Sequence, residues 1–139
     1  MCGIFGIAAG EGSGLTGADL KSTVTDLLKL SESRGKEASG VAVSVADSTR
    51  VLKSARAASL LVRSPEYNSL FTGQANGNGP SSAIKQSVAV IGHSRLVTTG
   101  SLEVHENNQP VISNNIVGIH NGIIVNFEEL WKKFPTIER

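Results

Sequence analysis

Residues 1–9 of the chain read MCGIFGIAA, a short apolar run that starts at the first residue. Gly3 and Gly6 interrupt the run, and a glycine within a strand often marks a place where another segment approaches the backbone closely. A run of this length that ends in a Gly/Ser-rich turn, here residues 10–14, is consistent with a buried strand. We therefore predict a strand over residues 3–9, with Cys2 directly before it.

An amphipathic helix is predicted after this turn. Thr16 is followed three residues later by Asp19, which resembles a capping box with Asp in place of the usual Glu or Gln. Apolar residues then recur at helical spacing, which predicts a helix that ends near Arg34-Gly35. The residues that set this spacing are Leu20, Val24, Leu27 and Leu28.

Several later segments favour β-structure, because they are short, rich in β-branched residues and separated by turn residues. The first two, joined by the polar stretch 47–49, are predicted to pair antiparallel. Asn126, with Glu129 three residues later, predicts a final helix. Residues 55–71 are helical at best, and residues 72–82 have the composition of a surface loop. These patterns indicate an α+β fold, whose predicted strands are 41–45, 51–52, 88–91, 116–119 and 123–125.

Length and composition indicate one globular domain. The chain has 139 residues, of which 40% are hydrophobic and 18% charged, so it is long enough to bury a core and is unlike a disordered chain. A formal net charge of +1 argues against nucleic acid or an anionic membrane as a partner. No apolar run is long enough to span a membrane, and the N-terminus lacks the pattern of a secretory signal. We therefore expect a cytoplasmic protein.

The single cysteine, Cys2, lies directly after the initiator methionine. It has no partner for an internal disulfide, and its small side chain favours removal of Met1, which would leave a thiol and a free α-amine on one residue. An α-amine has a reference pKa of about 8 and is therefore a suitable base for a thiol near neutral pH. The alternative is that Cys2 is a small buried hydrophobe, since free cysteine is among the most buried residue types.

Two further positions suit attack on a carboxamide. Asn121-Gly122 offers a side-chain amide and a backbone N–H as oxyanion donors, although Asn-Gly is also a common hairpin turn. Arg95 offers a planar fork that matches an α-carboxylate, although an arginine at a strand end is more often a solvated surface charge. The histidines lack metal-ligand spacing with Cys2, and no phosphate-binding glycine loop occurs, so we expect no metal and no cofactor.

Four motifs, in this order, resemble those of the class II (N-terminal nucleophile) glutamine amidotransferases. They are CGIFGI at 2–7, RGKEASG at 34–40, GHSRLVTTG at 92–100 and HNGIIVN at 120–126. The second and third are most similar to the glutaminase domains of amidophosphoribosyltransferase and glucosamine-6-phosphate synthase. The resemblance implies an Ntn-hydrolase fold with αββα layers of antiparallel sheet. It also implies that residues 1–139 form the N-terminal portion of such a domain, incomplete at its C-terminus.

The resemblance also assigns roles to individual residues. Cys2 would be the nucleophile, and Asn121 with Gly122 would form the oxyanion hole. Arg95 and Thr98, together with Gly122, would contact the amino-acid end of the substrate. A supporting set would brace the surroundings of the nucleophile; its members are Arg34, Gly35 and Gly40.

The implied function is hydrolysis of the glutamine side-chain amide through a Cys2 thioester, with ammonia passed to an acceptor synthase domain or subunit. Leu96 and Thr99 stand where the phosphosugar-aminating members carry a tryptophan and a histidine, so the acceptor stays open. Two alternatives also stay open. One is an N-terminal-cysteine amidase with another substrate, and the other is a catalytically silent scaffold that forms a homo-oligomer through unpaired strand edges.

Overall fold

The computed structural model describes residues 1–72, 81–96 and 108–136. Within these residues helices are combined with antiparallel sheet, as the predicted α+β class requires. The strands are β1 (Gly3–Ala9), β2 (Ala38–Val45), β3 (Ser48–Ser54), β4 (Val88–Arg95), β5 (Val111–Ser113) and β6 (Ile116–Gly118). The helices are α1 (Gly17–Ser31), which a 3₁₀ turn at Glu32–Arg34 follows, α2 (Ala58–Leu61), α3 (Pro65–Leu70) and α4 (Phe127–Lys133).

Strand β4 lies inside the larger sheet, whose strand order is β1-β4-β2-β3 with every neighbouring pair antiparallel. Gly3 of β1 is paired with Ser94, and Ala38 of β2 is paired with Arg95. The start of β1 therefore lies beside the end of β4. This register brings Cys2 to the end of the sheet where β4 finishes.

Helix α1 covers one face of this sheet and forms the core with it. Successive strand residues point to opposite faces, so the alternating valines of β2 and β4 pack against the helix. His93 and Arg95 therefore belong to the other face of β4. The buried core includes Leu20, Val24, Leu28, Val41, Val43, Tyr67, Val88 and Val90.

The start of α1 confirms the predicted capping box. The Thr16 hydroxyl accepts a hydrogen bond from the Asp19 backbone N–H at 3.0 Å, and the Asp19 carboxylate accepts one from the Thr16 N–H at 3.2 Å. These two bonds satisfy backbone donors that the first helical turn would otherwise leave without partners. The helix ends at Ser31 and the 3₁₀ turn carries the chain to Arg34, which agrees with the predicted end.

Strand β1 has the predicted bounds, whereas β2, β3 and β4 are longer than the sequence predicts. The turn between β2 and β3 is Ala46-Asp47, so residues 48–49 belong to β3 rather than to the turn. Ala46 has a positive φ of 50°, which allows the chain to reverse over two residues. Strand β4 runs past the predicted end at residue 91 because both neighbouring strands pair with it as far as Ser94.

The predictions for residues 116–125 need correction. Strand β6 ends at Gly118 and is not buried; it pairs with β5, which the sequence analysis did not predict. The hairpin turn between them is Asn114-Asn115, where Asn114 has a φ of 51° that asparagine tolerates. Residues 123–125 form no strand, because no strand within the described ranges pairs with them.

The remaining segments agree with their patterns in part. Helix α4 begins directly after Asn126 as predicted, but the Asn126 side chain makes no capping hydrogen bond. Residues 55–71 contain the two short helices α2 and α3. The predicted loop at 72–82 falls largely on residues 73–80, which lie outside the described residues. No helix in the described parts of the chain has the length and apolar character needed to cross a membrane.

Substitution of Leu28 by alanine tests the core. Leu28 is 0% exposed and packs in the cluster between α1 and the sheet, so Leu28→Ala is expected to lower the free energy of unfolding by about 2–4 kcal/mol. Leu30 is on the same helix and 70% exposed, so Leu30→Ala is the matched control, with an expected change of about 0.5 kcal/mol or less. Urea unfolding measures both; equal losses would contradict this position of the helix.

Candidate active site

Cys2 and Asn121 are joined by two hydrogen bonds. The Cys2 backbone N–H donates to Asn121 Oδ1 at 3.1 Å, and Asn121 Nδ2 donates to the Cys2 carbonyl at 3.0 Å. These bonds join residues that are 119 positions apart in the chain. They place the predicted nucleophile and the predicted oxyanion donor side by side.

The thiol of Cys2 points toward the end of β4. Its Sγ donates to the Leu96 carbonyl at 3.7 Å, and the side chain is half-buried. Leu96 directly follows Arg95, so the third motif lies next to Cys2 because β1 and β4 pair in the register described above.

Arg95 is a buried residue rather than the solvated surface charge that is usual at a strand end. It is 8% exposed, and its guanidinium donates to Asn108 Oδ1 at 2.9 Å. Asn108 is 1% exposed and its carbonyl accepts from Lys53 Nζ at 3.0 Å. Asn108 thus fixes the guanidinium on the face of the sheet opposite α1. The other predicted contact to the substrate, Thr98, lies outside the described residues.

Gly35 lies against the chain that supports the thiol. A Cβ atom at Gly35 would collide with the backbone of Arg95 and Leu96, so only glycine fits there without displacing the end of β4. The Arg95 carbonyl also accepts from the Glu37 N–H at 3.2 Å.

Arg34 is exposed and lines a cleft of about 450 Å³ together with Met1 and Leu96. The second motif therefore borders the surroundings of Cys2.

Gln109 also belongs to this site, although it is not among the site residues predicted from the sequence. Its side-chain Nε2 donates to the His120 carbonyl at 2.9 Å, and its Oε1 accepts from the His120 N–H. The backbone of residues 109–110 packs on Gly40, where a Cβ would collide with the Gln109 carbonyl. The sequence carries a weak signal here, since Gln109-Pro110 directly follows two asparagines. The partner of Gln109 is the backbone of His120, and no sequence pattern identifies a backbone partner.

Two curated proteins are similar to this chain over most of its length. Both are named glutamine–fructose-6-phosphate aminotransferase (isomerizing) and come from Xylella fastidiosa, one from strain Temecula1 and one from strain 9a5c. Each is 33% identical over 129 residues, which cover 92% of this chain and 17% of the relative. The chain belongs to the class II glutamine amidotransferase family. No protein-family model and no solved structure matches it.

The fold of this class II glutamine amidotransferase chain brings parts of all four motifs together. Cys2 of the first motif contacts Asn121 of the fourth, and the backbone of Arg95 in the third packs on Gly35 of the second. The chain spans about a sixth of the length of the two relatives. Within residues 1–72, 81–96 and 108–136, no group of three His, Cys, Asp or Glu side chains has the arrangement of a metal site.

His93 lies beneath this site as a buried, neutral imidazole. It is 0% exposed in β4 between Gly40 and Ile4, and neither ring nitrogen has a hydrogen-bond partner among the residues described. Burial lowers the pKa of His93 from its ordinary value of 6.5 to about 4; the backbone of His120 opposes this shift and the charge of Arg95 adds to it. A proton on His93 is therefore unfavourable in the folded chain.

Stability is expected to fall with pH below the ordinary range of histidine. The unfolded chain binds a proton at His93 near pH 6.5 and the folded chain only near pH 4, so stability decreases as pH falls through this window. The loss is on the order of 2 kcal/mol after allowance for screening. Urea unfolding at several pH values should show a shallower dependence in His93→Gln. Identical slopes in the wild type and in His93→Gln would contradict the assignment.

Proposed function

We propose that this chain is a glutaminase domain in which Cys2 attacks the side-chain amide of glutamine and releases ammonia for an acceptor. The observation that carries the proposal is the double hydrogen bond between Cys2 and Asn121. Three groups therefore lie close together: the Cys2 nitrogen, the Cys2 thiol and the Asn121 carboxamide. Loss of Met1 would turn the Cys2 nitrogen into a free α-amine. Family membership supports the same substrate.

The first half of the proposed reaction forms a thioester. The neutral α-amine of mature Cys2 takes the thiol proton, and the thiolate forms a bond to the carboxamide carbon of glutamine while the carbonyl becomes an oxyanion. Asn121 Nδ2 carries two hydrogens and donates one to the Cys2 carbonyl, so the other is suited to the oxyanion together with the Gly122 N–H. The oxyanion then collapses, the C–N bond breaks, and the departing nitrogen takes the proton from the ammonium group as ammonia.

The second half of the reaction releases glutamate. The α-amine of Cys2 accepts a proton from water, and the resulting hydroxide adds to the thioester carbon. The same two donors, Asn121 and Gly122, stabilise the second oxyanion. Its collapse breaks the C–S bond, and the thiolate recovers the proton from the ammonium group.

The amino-acid end of glutamine is assigned to Arg95, Thr98 and Gly122. Arginine binds a carboxylate with two parallel hydrogen bonds, and the contact from Arg95 to Asn108 supports this role because it fixes the plane of the guanidinium. An arginine held in this way near Cys2 favours glutamine over the acyl amides of an N-terminal-cysteine amidase.

The surrounding architecture is proposed to be the αββα layering of Ntn hydrolases. Helix α1 supplies an outer layer on one face of the four-stranded sheet, and β5–β6 is assigned to the second sheet. Val111, Ile112 and Ile116 of β5 and β6 have exposed apolar side chains. This exposure supports the assignment, because neighbouring layers of an αββα fold would cover the faces of the second sheet. Arg34, Gly35 and Gly40 are proposed to support the nucleophile from the first sheet.

The relatives' name extends the proposal to the acceptor. Both are named as aminotransferases that use fructose 6-phosphate, so a sugar phosphate is the first acceptor to test. Leu96 stands where the phosphosugar-aminating members carry a tryptophan. The acceptor of amidophosphoribosyltransferase is therefore the second acceptor to test beside the sugar phosphate. Glutamate formation stimulated by one acceptor and not by the other decides between them.

Substitutions at Cys2 and Asn121 test the proposed chemistry in the full-length protein. Cys2→Ala is expected to abolish glutamate formation, since it removes the nucleophile. Asn121→Ala is expected to lower kcat by roughly 10²–10³-fold, as removal of one oxyanion donor does elsewhere. Asn115→Ala, an exposed asparagine in the β5–β6 turn, is the matched control and should keep full activity.

Three outcomes would contradict the proposal. Mass spectrometry that finds Met1 still attached to the active protein removes the proposed base. Turnover of acyl amides without turnover of glutamine indicates the alternative amidase. A protein with a free Cys2 that neither hydrolyses glutamine nor reacts with a glutamine-like electrophile, in the presence of acceptor, indicates a silent scaffold.

A further inference from the structure

The side chain of Gln109 binds both backbone groups of one residue, His120. Its Nε2 donates to the His120 carbonyl at 2.9 Å and its Oε1 accepts from the His120 N–H. This amide-to-backbone pairing fixes both position and orientation, because two hydrogen bonds to one residue restrict rotation more than one does. The His120 carbonyl belongs to the peptide plane that leads into Asn121, so the pairing acts directly on the residue that contacts Cys2.

Gln109 is itself anchored to the rigid sheet. Its carbonyl and the ring of Pro110 lie against Gly40 of β2, where no Cβ would fit. The preceding residue, Asn108, is 1% exposed and is held by the Arg95 and Lys53 side chains. Gln109 therefore starts from a fixed point on the sheet face.

The segment that Gln109 holds has little support of its own. Residues 120–125 are exposed and belong to no helix or strand. Hydrogen bonds join His120 to Gln109 and Asn121 to Cys2, and the backbone of His120 also interacts with the His93 imidazole. The alignment of Asn121 and Gly122 therefore depends on Gln109 far more than on local secondary structure.

We propose that Gln109 is a positioning residue for the oxyanion hole. This inference rests on the proposed glutaminase function. Gln109 touches no reacting atom. It holds the His120–Asn121 peptide so that Asn121 Nδ2 and the Gly122 N–H point at the developing oxyanion. Such donors stabilise the transition state only when they are held in place beforehand. Loss of Gln109 therefore lowers kcat more than it weakens glutamine binding, because binding is assigned to Arg95 and Thr98 as well as to Gly122.

The test compares three variants of the full-length protein with the wild type. Gln109→Ala is expected to lower kcat for glutamate formation by about 10–100-fold, which is less than the loss expected when a donor is deleted. The KM for glutamine should change by less than about 3-fold. Gln86→Ala is the matched control, because Gln86 lies before β4 and makes no hydrogen bond with His120 among the described residues. It should keep wild-type kinetics.

Gln109→Glu distinguishes positioning from general stability. An ionised glutamate accepts from the His120 N–H but repels the His120 carbonyl, whereas a protonated glutamate regains the donor. The ratio of Gln109→Glu to wild-type kcat should therefore rise as pH falls from about 8 to about 5.5, and the ratio for Gln109→Ala should stay flat. A wild-type kcat in Gln109→Ala, or a flat ratio for Gln109→Glu, overturns the proposal.

Amide hydrogen exchange separates this inference from the proposed function. Faster exchange at His120 and Asn121 in Gln109→Ala than in Gln86→Ala supports the positioning role, and equal exchange overturns it, whatever the activity. A wild-type protein with free Cys2 that forms no glutamate overturns the proposed function and with it the catalytic role of Gln109. A turnover that Gln109→Ala does not reduce overturns the inference alone.

Discussion

The candidate site depends on the double hydrogen bond between Cys2 and Asn121. The antiparallel pairing of β1 with β4 makes this contact possible. The pairing of β1 with β4 sets Cys2 at the end of the sheet where Asn121 contacts it. Main-chain atoms of Cys2 make both bonds, so the thiol itself stays directed toward Leu96. Cys2 is thus held by its backbone, and its side chain takes no part in the contact with Asn121.

Short-range patterns were predictable from the sequence because both partners lie within one turn of chain. Thr16 and Asp19 are three residues apart, and their capping box is present. The strand at residues 3–9 was equally accessible, since its apolar pattern ends in a turn. The resemblance to a family added the site residues, which no periodicity could supply, and similarity to two aminotransferases supports that resemblance.

The features that the sequence did not predict are governed by partners far along the chain. The apolar run 123–125 favours a strand locally, yet no described strand lies beside it, so the pattern was misleading. Arg95 is buried because Asn108 and the sheet face receive it, and a solvated side chain was the reasonable expectation without that knowledge. Gln109 was missed for the same reason, since its partner is the backbone of His120.

The long separation between Cys2 and Asn121 has a consequence for the newly made chain. During synthesis Cys2 leaves the ribosome 119 residues before the asparagine that contacts it. Domains fold as units once enough of the chain has emerged, and pairing of distant segments comes late. A nascent chain therefore carries Cys2 without the Asn121 carboxamide beside it until the later segment has been made and has folded against the end of the sheet.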